Sequence, residues 1–147
     1  MQKDVVISVK GMQKYDGTES DTVELLTEGR LEREQDIYVL TYEETEITGM
    51  EGTQTVITVE GDTVTLVRSG QFNSQMVFQE GRRHLSMYNT PYGAMTIGVN
   101  TRSLYTDLTD QGGEIQVDYA IEVDHAVTGR NIFQINIKEA EGASLKQ

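Results

Sequence analysis

Strict alternation of apolar and polar residues dominates this chain, and it is clearest in EIQVDYAIEVD at 114–124. Successive side chains of an extended strand point to opposite faces, so every second residue shares a face. The apolar face of this segment consists of Ile115, Val117, Tyr119, Ile121 and Val123. The opposite face is mostly acidic, so the pattern predicts an antiparallel strand with one buried and one solvated side.

The same period of two recurs along the chain, and no long segment shows the helical spacing of three and four. The further apolar faces are Val5, Ile7 and Val9; Val23, Leu25 and Leu31; Ile57 and Val59; Met76 and Phe78; Met95, Ile97 and Val99; and Phe133, Ile135 and Ile137. Short turn signals at 60–62, 80–82, 110–113 and 128–130 separate these runs. We therefore expect an all-β chain of about eight to ten strands, paired in sequence order within one domain over residues 1–147.

Two features favour a closed barrel over a flat sheet. The segments 22–33 and 113–124 are long for strands and would have to coil. In MTIGVNTRSLYTDL at 95–108 the apolar parity switches, which predicts a β-bulge near Arg102 and Ser103. The sequence therefore predicts an antiparallel up-and-down barrel, with a β-sandwich as the alternative that periodicity does not exclude.

An arginine falls on the apolar face of the predicted strand TVTLVRSG at 63–70. Val64, Leu66 and Arg68 point to the same side. An unpaired guanidinium that faces a core costs several kcal/mol in desolvation. Arg68 is therefore expected to reach water, a carboxylate or an anionic ligand.

Glu44 is the candidate partner of Arg68, because it shares a face with Tyr42 near the end of the predicted strand DIYVLTYEETE at 36–46. Tyr119 and Thr101 lie on neighbouring inward faces, so these polar groups are expected to cluster inside one end of the barrel. One hypothesis is a purely structural network. The other is that Arg68 binds the anionic group of a small amphipathic molecule, whose apolar part would contact Leu66, Met76, Phe78 and Met95.

Composition restricts the partners. The chain has 12 basic and 24 acidic residues, and its net charge of −12 argues against binding to nucleic acid or anionic membranes. The chain has no cysteine, and its two histidines lack paired-ligand spacing, so we expect no metal site and no cofactor. The oxygen-rich segment 107–114 lacks EF-hand spacing and is interpreted as a hairpin turn.

No hydrolase or nucleotide-binding motif is present, so an enzymatic activity stays open only as the third functional hypothesis. The apolar run within residues 1–11 is too short for a signal peptide, and no stretch is long enough to span a membrane, so we expect a cytoplasmic protein.

A second functional hypothesis is a non-catalytic interaction module that docks a basic partner. Its acidic outer surface would comprise Glu24, Glu28, Glu32, Glu114, Asp118, Glu122 and Asp124.

YNTPYGAMTIGVNTRSLYTDL at 88–108 and IYVLTYEETEITGMEGTQTVITV at 37–59 carry a family resemblance, together with TLVRSGQFNSQMVFQEG at 65–81. Over nearly its whole length the chain resembles the YwiB-like family of uncharacterised bacterial proteins. The resemblance implies a calycin-like β-barrel, related in architecture to lipocalins, and no assigned activity. The lipocalin Gly-x-Trp motif is missing because the chain has no tryptophan. Tyr88 and Tyr92, in the Tyr-x-Thr-Pro-Tyr-Gly segment of the resemblance, are expected to edge the barrel mouth and contact the ligand.

Overall fold

A computed structural model describes residues 2–14, 21–45, 51–70, 73–90, 93–123 and 126–140, and every regular element in these ranges is a β-strand. The strands are β1 (Gln2–Lys14), β2 (Asp21–Glu34), β3 (Ile37–Glu43), β4 (Thr53–Glu60), β5 (Thr63–Gly70), β6 (Asn73–Gln79), β7 (Arg83–Thr90), β8 (Gly93–Thr109), β9 (Gly112–Val123) and β10 (Ala126–Glu139). They confirm the all-β prediction. These ranges hold no helix with the length and hydropathy of a membrane span.

Each strand pairs antiparallel with the next one in sequence, and β1 pairs with β10 to close the barrel. The closing register runs from Val5 opposite Glu139 to Lys14 opposite Arg130. This order confirms the up-and-down barrel and rejects the sandwich. Closure also pairs the backbone groups of the two terminal strands with each other, so neither is left as an open edge along this seam.

The apolar face of each strand points into the barrel, as the alternation predicts. In β9, Ile115 is 1% exposed and Val117 is fully buried, whereas Gln116 between them is exposed. The largest fully buried side chains are Phe78, Ile7, Leu31, Leu40, Ile57, Ile115 and Ile135. Burial of this face fixes the strand register, because a slip by one residue would turn the apolar set outward.

The expected bulge is present in β8. The register with β9 shifts between Thr101 and Ser103, which leaves Arg102 unpaired in the ladder. Before the bulge, Val99 and Thr101 are buried. At the bulge, the Gly81 amide donates to the Thr101 carbonyl at 3.0 Å, so β8 also pairs with the β6–β7 turn. The extra residue therefore lies where β8 passes beyond the start of β7.

One predicted turn is wrong. The segment 128–130 lies inside β10, and the chain reverses between the end of β9 at Val123 and the start of β10 at Ala126. The register between these strands shifts between Val127 and Gly129. Glycine accommodates a bulge as well as a turn, and the Thr-Gly-Arg triplet does not distinguish the two. The turns predicted at 60–62, 80–82 and 110–113 are confirmed.

The seam between β6 and β7 is the most sparsely paired of the described barrel. Its register contains only Asn73 opposite Asn89 and Ser74 opposite Tyr88, although β6 continues to Gln79. By contrast, β7 pairs with β8 along its whole length. At the other end of this seam, the Arg82 amide donates to the Gln79 carbonyl at 2.9 Å across the β6–β7 turn.

Candidate functional site

Arg68 lies inside the barrel, near the end of β5. Val64 and Leu66 on the same face are 0% and 4% exposed, and the Arg68 side chain is 19% exposed. Its inward direction follows from the strand alternation, since Val67 on the other face is exposed. A full positive charge is thus held in the barrel interior, with limited access to water.

Glu44 directly follows β3 and is the acidic neighbour of Arg68. Its side chain is 2% exposed. The backbone amide of Glu44 donates to the Thr53 carbonyl at 2.8 Å, which anchors this residue to β4. The hydroxyl of Thr55 donates to Glu44 Oε2. The carboxylate is therefore fixed by the β4 strand and buried almost completely.

The ion pair between these two side chains is loose. Arg68 Nε lies 3.8 Å from Glu44 Oε2, beyond the length of a hydrogen bond. The Nε atom is buried and has no hydrogen-bond partner among the described residues. An unsatisfied buried donor costs about 1–3 kcal/mol, so this guanidinium has unused binding capacity.

Cross-strand pairing brings further polar residues to the same level of the barrel. Tyr42 pairs with Thr55, Thr55 with Arg68, and Arg68 with Ser74. The Ser74 hydroxyl is buried and has no hydrogen-bond partner among the described residues. Thr55 and Ser74 were not among the predicted site residues. Each occupies an inward position in register with buried apolar residues of its own strand, and this parity could have identified them.

Two phenols border the polar residues. Burial raises the pKa of Tyr42, and the nearby Glu44 carboxylate raises it further. Burial also raises the pKa of Tyr119, whereas Arg68 acts in the opposite direction. Both phenols are therefore neutral at physiological pH and can act as hydrogen-bond donors.

Tyr119 also belongs to an aromatic cluster in the middle of the barrel. Its ring centroid lies 4.8 Å from that of Phe78 and 6.1 Å from that of Phe133. The Phe78 and Phe133 rings meet edge to face at 5.5 Å. Such tilted arrangements are the favoured geometry for aromatic pairs. Two of its members, Tyr119 and Phe133, also line the cavity at the polar end of the barrel.

A cavity of about 560 Å³ opens at that polar end. Its polar wall includes Arg68, Glu44, Tyr42 and Tyr119, together with Gln13, Thr22 and Asn131. Its apolar wall consists of Val9, Met12, Val23, Leu25, Leu66, Ile132, Phe133 and Ile135. The arrangement therefore combines one cation, one carboxylate and two phenols with a large apolar surface.

The other predicted site residues lie elsewhere or outside the description. Thr101 is 1% exposed and its hydroxyl has no partner among the described residues, but it does not line the cavity. The backbone of Tyr88 pairs with Ser74 and Met95, and its side chain lies outside the described part of the chain, as does the whole of Tyr92.

The predicted apolar contacts are also corrected in part. Leu66 lines the cavity, whereas Met76 and Phe78 are buried in the core outside its wall. Met95 is 45% exposed, because it lies near the start of β8, where the apolar face extends beyond the packed core. Apart from Leu66, the apolar wall comes from β1, β2 and β10, which were not predicted to contribute to the site.

Several acidic side chains of the outer surface are paired with basic side chains. Arg130 donates two hydrogen bonds to Asp118, at 2.9 and 2.5 Å, and Arg83 donates to Glu122 at 2.9 Å. In the segment 107–114, the Asp110 carboxylate is bound by Arg33. Within the described ranges, no three metal-ligating side chains form a group that could hold an ion.

Comparison with known proteins gives a relative and a solved structure. The chain is 25% identical over 120 residues to the uncharacterized beta-barrel protein YwiB of Bacillus subtilis (strain 168), covering 81% of this chain and 82% of YwiB. The crystal structure of the ywiB protein from Bacillus subtilis matches with a TM-score of 0.84 at 22% identity, over 95% of this chain and 93% of that one. This structural likeness supports the barrel fold.

The family comparison covers most of the barrel. Residues 7–135, from β1 to β10, match the model of a domain of unknown function, DUF1934. The resemblance inferred from the sequence is thereby confirmed, and no activity comes with it. This chain belongs to the DUF1934 family of β-barrel proteins.

Proposed function

We propose that this protein binds a small amphipathic anion in the cavity at the polar end of the barrel. The observation that carries the proposal is Arg68, whose side chain lines the cavity and is 19% exposed, while its buried Nε atom has no hydrogen-bond partner among the described residues. An anionic group on the ligand would bind the part of the guanidinium that reaches the cavity through charge-assisted hydrogen bonds.

The apolar wall supports an amphipathic ligand over a purely polar one. Leu25, Leu66 and Ile135 are at most 4% exposed, so this wall is continuous with the core. A volume of about 560 Å³ falls within the range of small-molecule pockets in proteins. A hydrocarbon segment could therefore lie against β1, β2 and β10 while its head group contacts Arg68.

The overall charge of the protein does not oppose this binding mode. Charges on the outer wall are screened over about 8 Å at physiological ionic strength. Only Arg68 and Glu44 contribute formal charge to the cavity wall of the described residues. Affinity would come from burial and from local hydrogen bonds, so long-range electrostatic steering is not required. A carrier role in the cytoplasm, by analogy with lipocalins, belongs to the same proposal.

The test uses fluorescence titration with 8-anilinonaphthalene-1-sulfonate, followed by competition with alkyl carboxylates from butyrate to decanoate. Each methylene buried contributes about 0.8 kcal/mol, so affinity should rise about three- to fourfold per methylene until the cavity is full. Arg68→Met should weaken binding about tenfold to a hundredfold, because a hydrogen bond to a charged group contributes about 1.5–3 kcal/mol. Arg68→Lys should give an intermediate loss, since it keeps the charge and loses the planar fork.

Arg102→Met is the matched control, because Arg102 is exposed at the β8 bulge. This control should bind like the wild type, and circular dichroism should show that all the variants fold. The proposal is wrong if Arg68→Met and Arg102→Met bind every probe equally well, or if decanoate binds no better than butyrate.

A further inference from the structure

The charges of the cavity wall are balanced before any ligand arrives. Among the described residues that line it, the only groups ionised at neutral pH are the Arg68 guanidinium and the Glu44 carboxylate. An incoming anion therefore gives the site a negative charge in excess. Because this excess charge arises only when the proposed anion binds, the inference below rests on the proposed function.

The groups that face Glu44 from each neighbouring strand are few. Tyr42 of β3, Arg68 of β5 and Tyr119 of β9 are the titratable ones. From β4, Thr55 contributes a hydroxyl. The walls formed by β1, β2 and β10 carry no titratable side chain within the described ranges. Arg68 is thus the single cation among the described residues that line the cavity with Glu44.

An anion on Arg68 would lie close to Glu44. Arg68 Nε is 3.8 Å from Glu44 Oε2, and a charge-assisted hydrogen bond adds about 2.8 Å on the ligand side. The two negative groups are then held by the same guanidinium, and the Glu44 side chain is only 2% exposed. Two like charges this close, with little water between them, strongly favour protonation of one of them.

A ligand ammonium group could also balance the charge, but the burial of Glu44 argues against it. The side chain of Arg68 is 19% exposed to the cavity and that of Glu44 only 2%. In addition, Glu44 Oε2 already accepts the Thr55 hydroxyl hydrogen bond. A bulky hydrated cation would have little carboxylate surface to contact, whereas a proton needs none.

We propose that the cavity takes up one proton from solvent with each anion that it binds, and that Glu44 holds this proton. The protonated carboxyl group becomes a hydrogen-bond donor, so it no longer repels the anion and releases Arg68 to pair with it. By linkage, affinity for the anion falls as pH rises, up to tenfold per pH unit over the range in which the bound site holds the proton and the free site does not. Glu44 is in this sense a determinant of pH-dependent affinity.

The experiment is isothermal titration calorimetry of the wild-type protein with decanesulfonate between pH 5 and 8, at each pH in two cationic buffers that both buffer at that pH. A sulfonate cannot take up a proton in this range, so any buffer-dependent heat reports protonation of the protein. The two buffers differ in ionisation enthalpy, and their difference in heat gives the number of protons per ligand. We expect uptake to reach at least half a proton per ligand within the range, together with weaker binding toward pH 8.

Glu44→Gln is the matched variant, because an amide oxygen can still accept the Thr55 hydrogen bond. It should bind decanesulfonate without proton uptake, with no pH dependence, and at least tenfold more tightly than the wild type at pH 8. Uptake that persists in Glu44→Gln would assign the proton to another group and overturn the inference.

The remaining outcomes separate the two proposals. Wild-type binding without proton uptake anywhere between pH 5 and 8 overturns the inference and leaves the proposed function standing. Tighter binding of 2-aminodecanoate than of decanoate, without uptake, would also overturn it, in favour of a zwitterionic ligand. If decanesulfonate and the alkyl carboxylates all fail to bind, the proposed function is wrong and the inference falls with it.

Discussion

The arginines of the outer wall and the arginine of the interior are paired in opposite ways. On the outside, Arg130 makes two hydrogen bonds to Asp118, at 2.9 and 2.5 Å, with 38% of its side chain exposed. Inside, Arg68 approaches Glu44 only to 3.8 Å, and its Nε atom is without a hydrogen bond from the described residues. The shorter hydrogen bonds are thus made by the exposed pair, whose partners water could also solvate.

This difference indicates that the incompletely paired charge lies in the interior and not on the outer wall. Exposed ion pairs contribute about 0–1 kcal/mol, because water solvates and screens both partners. A buried charge depends on its protein partners, and breaking such a pair costs about 3–5 kcal/mol. The long Arg68–Glu44 contact therefore leaves a buried charge incompletely paired, at a cost in stability that the exposed pairs do not carry. Such incomplete pairing is expected of a site that binds a further group.

The largest effect is expected from breaking the interior pair. Arg68→Met should lower the free energy of unfolding by about 3 kcal/mol at pH 7.5, because it leaves the Glu44 carboxylate buried without a cation. Glu44→Leu should cost less, about 1–2 kcal/mol, since the remaining guanidinium can be hydrated from the cavity. Urea unfolding of the two single variants and the double variant gives the coupling.

We expect a coupling of at least about 1 kcal/mol between Arg68 and Glu44, with the double variant more stable than the sum of the single losses predicts. Strictly additive losses would contradict the interior pair.

An intermediate effect is expected from the buried phenols at high pH. Burial raises the pKa of Tyr42 above its usual value of 10.0, so above about pH 10 the unfolded chain loses a proton that the folded protein retains. Stability then falls as pH rises, by about 1.4 kcal/mol per pH unit for this phenol. Tyr119, whose pKa is raised by burial too, should add to the slope.

Urea unfolding between pH 9 and 11 measures this slope. Tyr42→Phe should reduce it, because the residue that titrates only in the unfolded chain is removed. Tyr105→Phe is the outer-wall control, since Tyr105 is 52% exposed, and it should leave the slope unchanged. Equal slopes in the wild type and Tyr42→Phe would show that the polar end is open to solvent, contrary to the burial of this residue.

Local alternation predicted most of the fold, because each strand buries one face and the parity of that face can be read directly. The same parity placed Arg68 and Glu44 inside, and the switch near Arg102 located the bulge. It could not show that β1 closes on β10, since closure depends on the sum of twists around the whole sheet. The misplaced turn at 128–130 has a similar cause, because Gly129 serves a bulge equally well.

The site was predicted less completely than the fold. Parity marks Thr55 as an inward residue, but its position opposite Arg68 follows from register, which local sequence does not give until the strands are paired. The cavity depends on how side chains from six strands fill the barrel end. Its apolar wall on β1, β2 and β10 is therefore a property of packing, and strand parity alone does not reveal it.

The smallest effect is expected from the outer wall, where Arg83 Nε lies 2.9 Å from Glu122 and the Arg83 side chain is 41% exposed. Arg83→Met should change the free energy of unfolding by at most about 1 kcal/mol, and 1 M salt should remove the difference. Gly98→Ala should act similarly, because a Cβ there would lie 2.9 Å from Arg83 Nη2 and displace the guanidinium. A coupling between Arg83 and Glu122 as large as that between Arg68 and Glu44 would mean that burial does not distinguish the two regions.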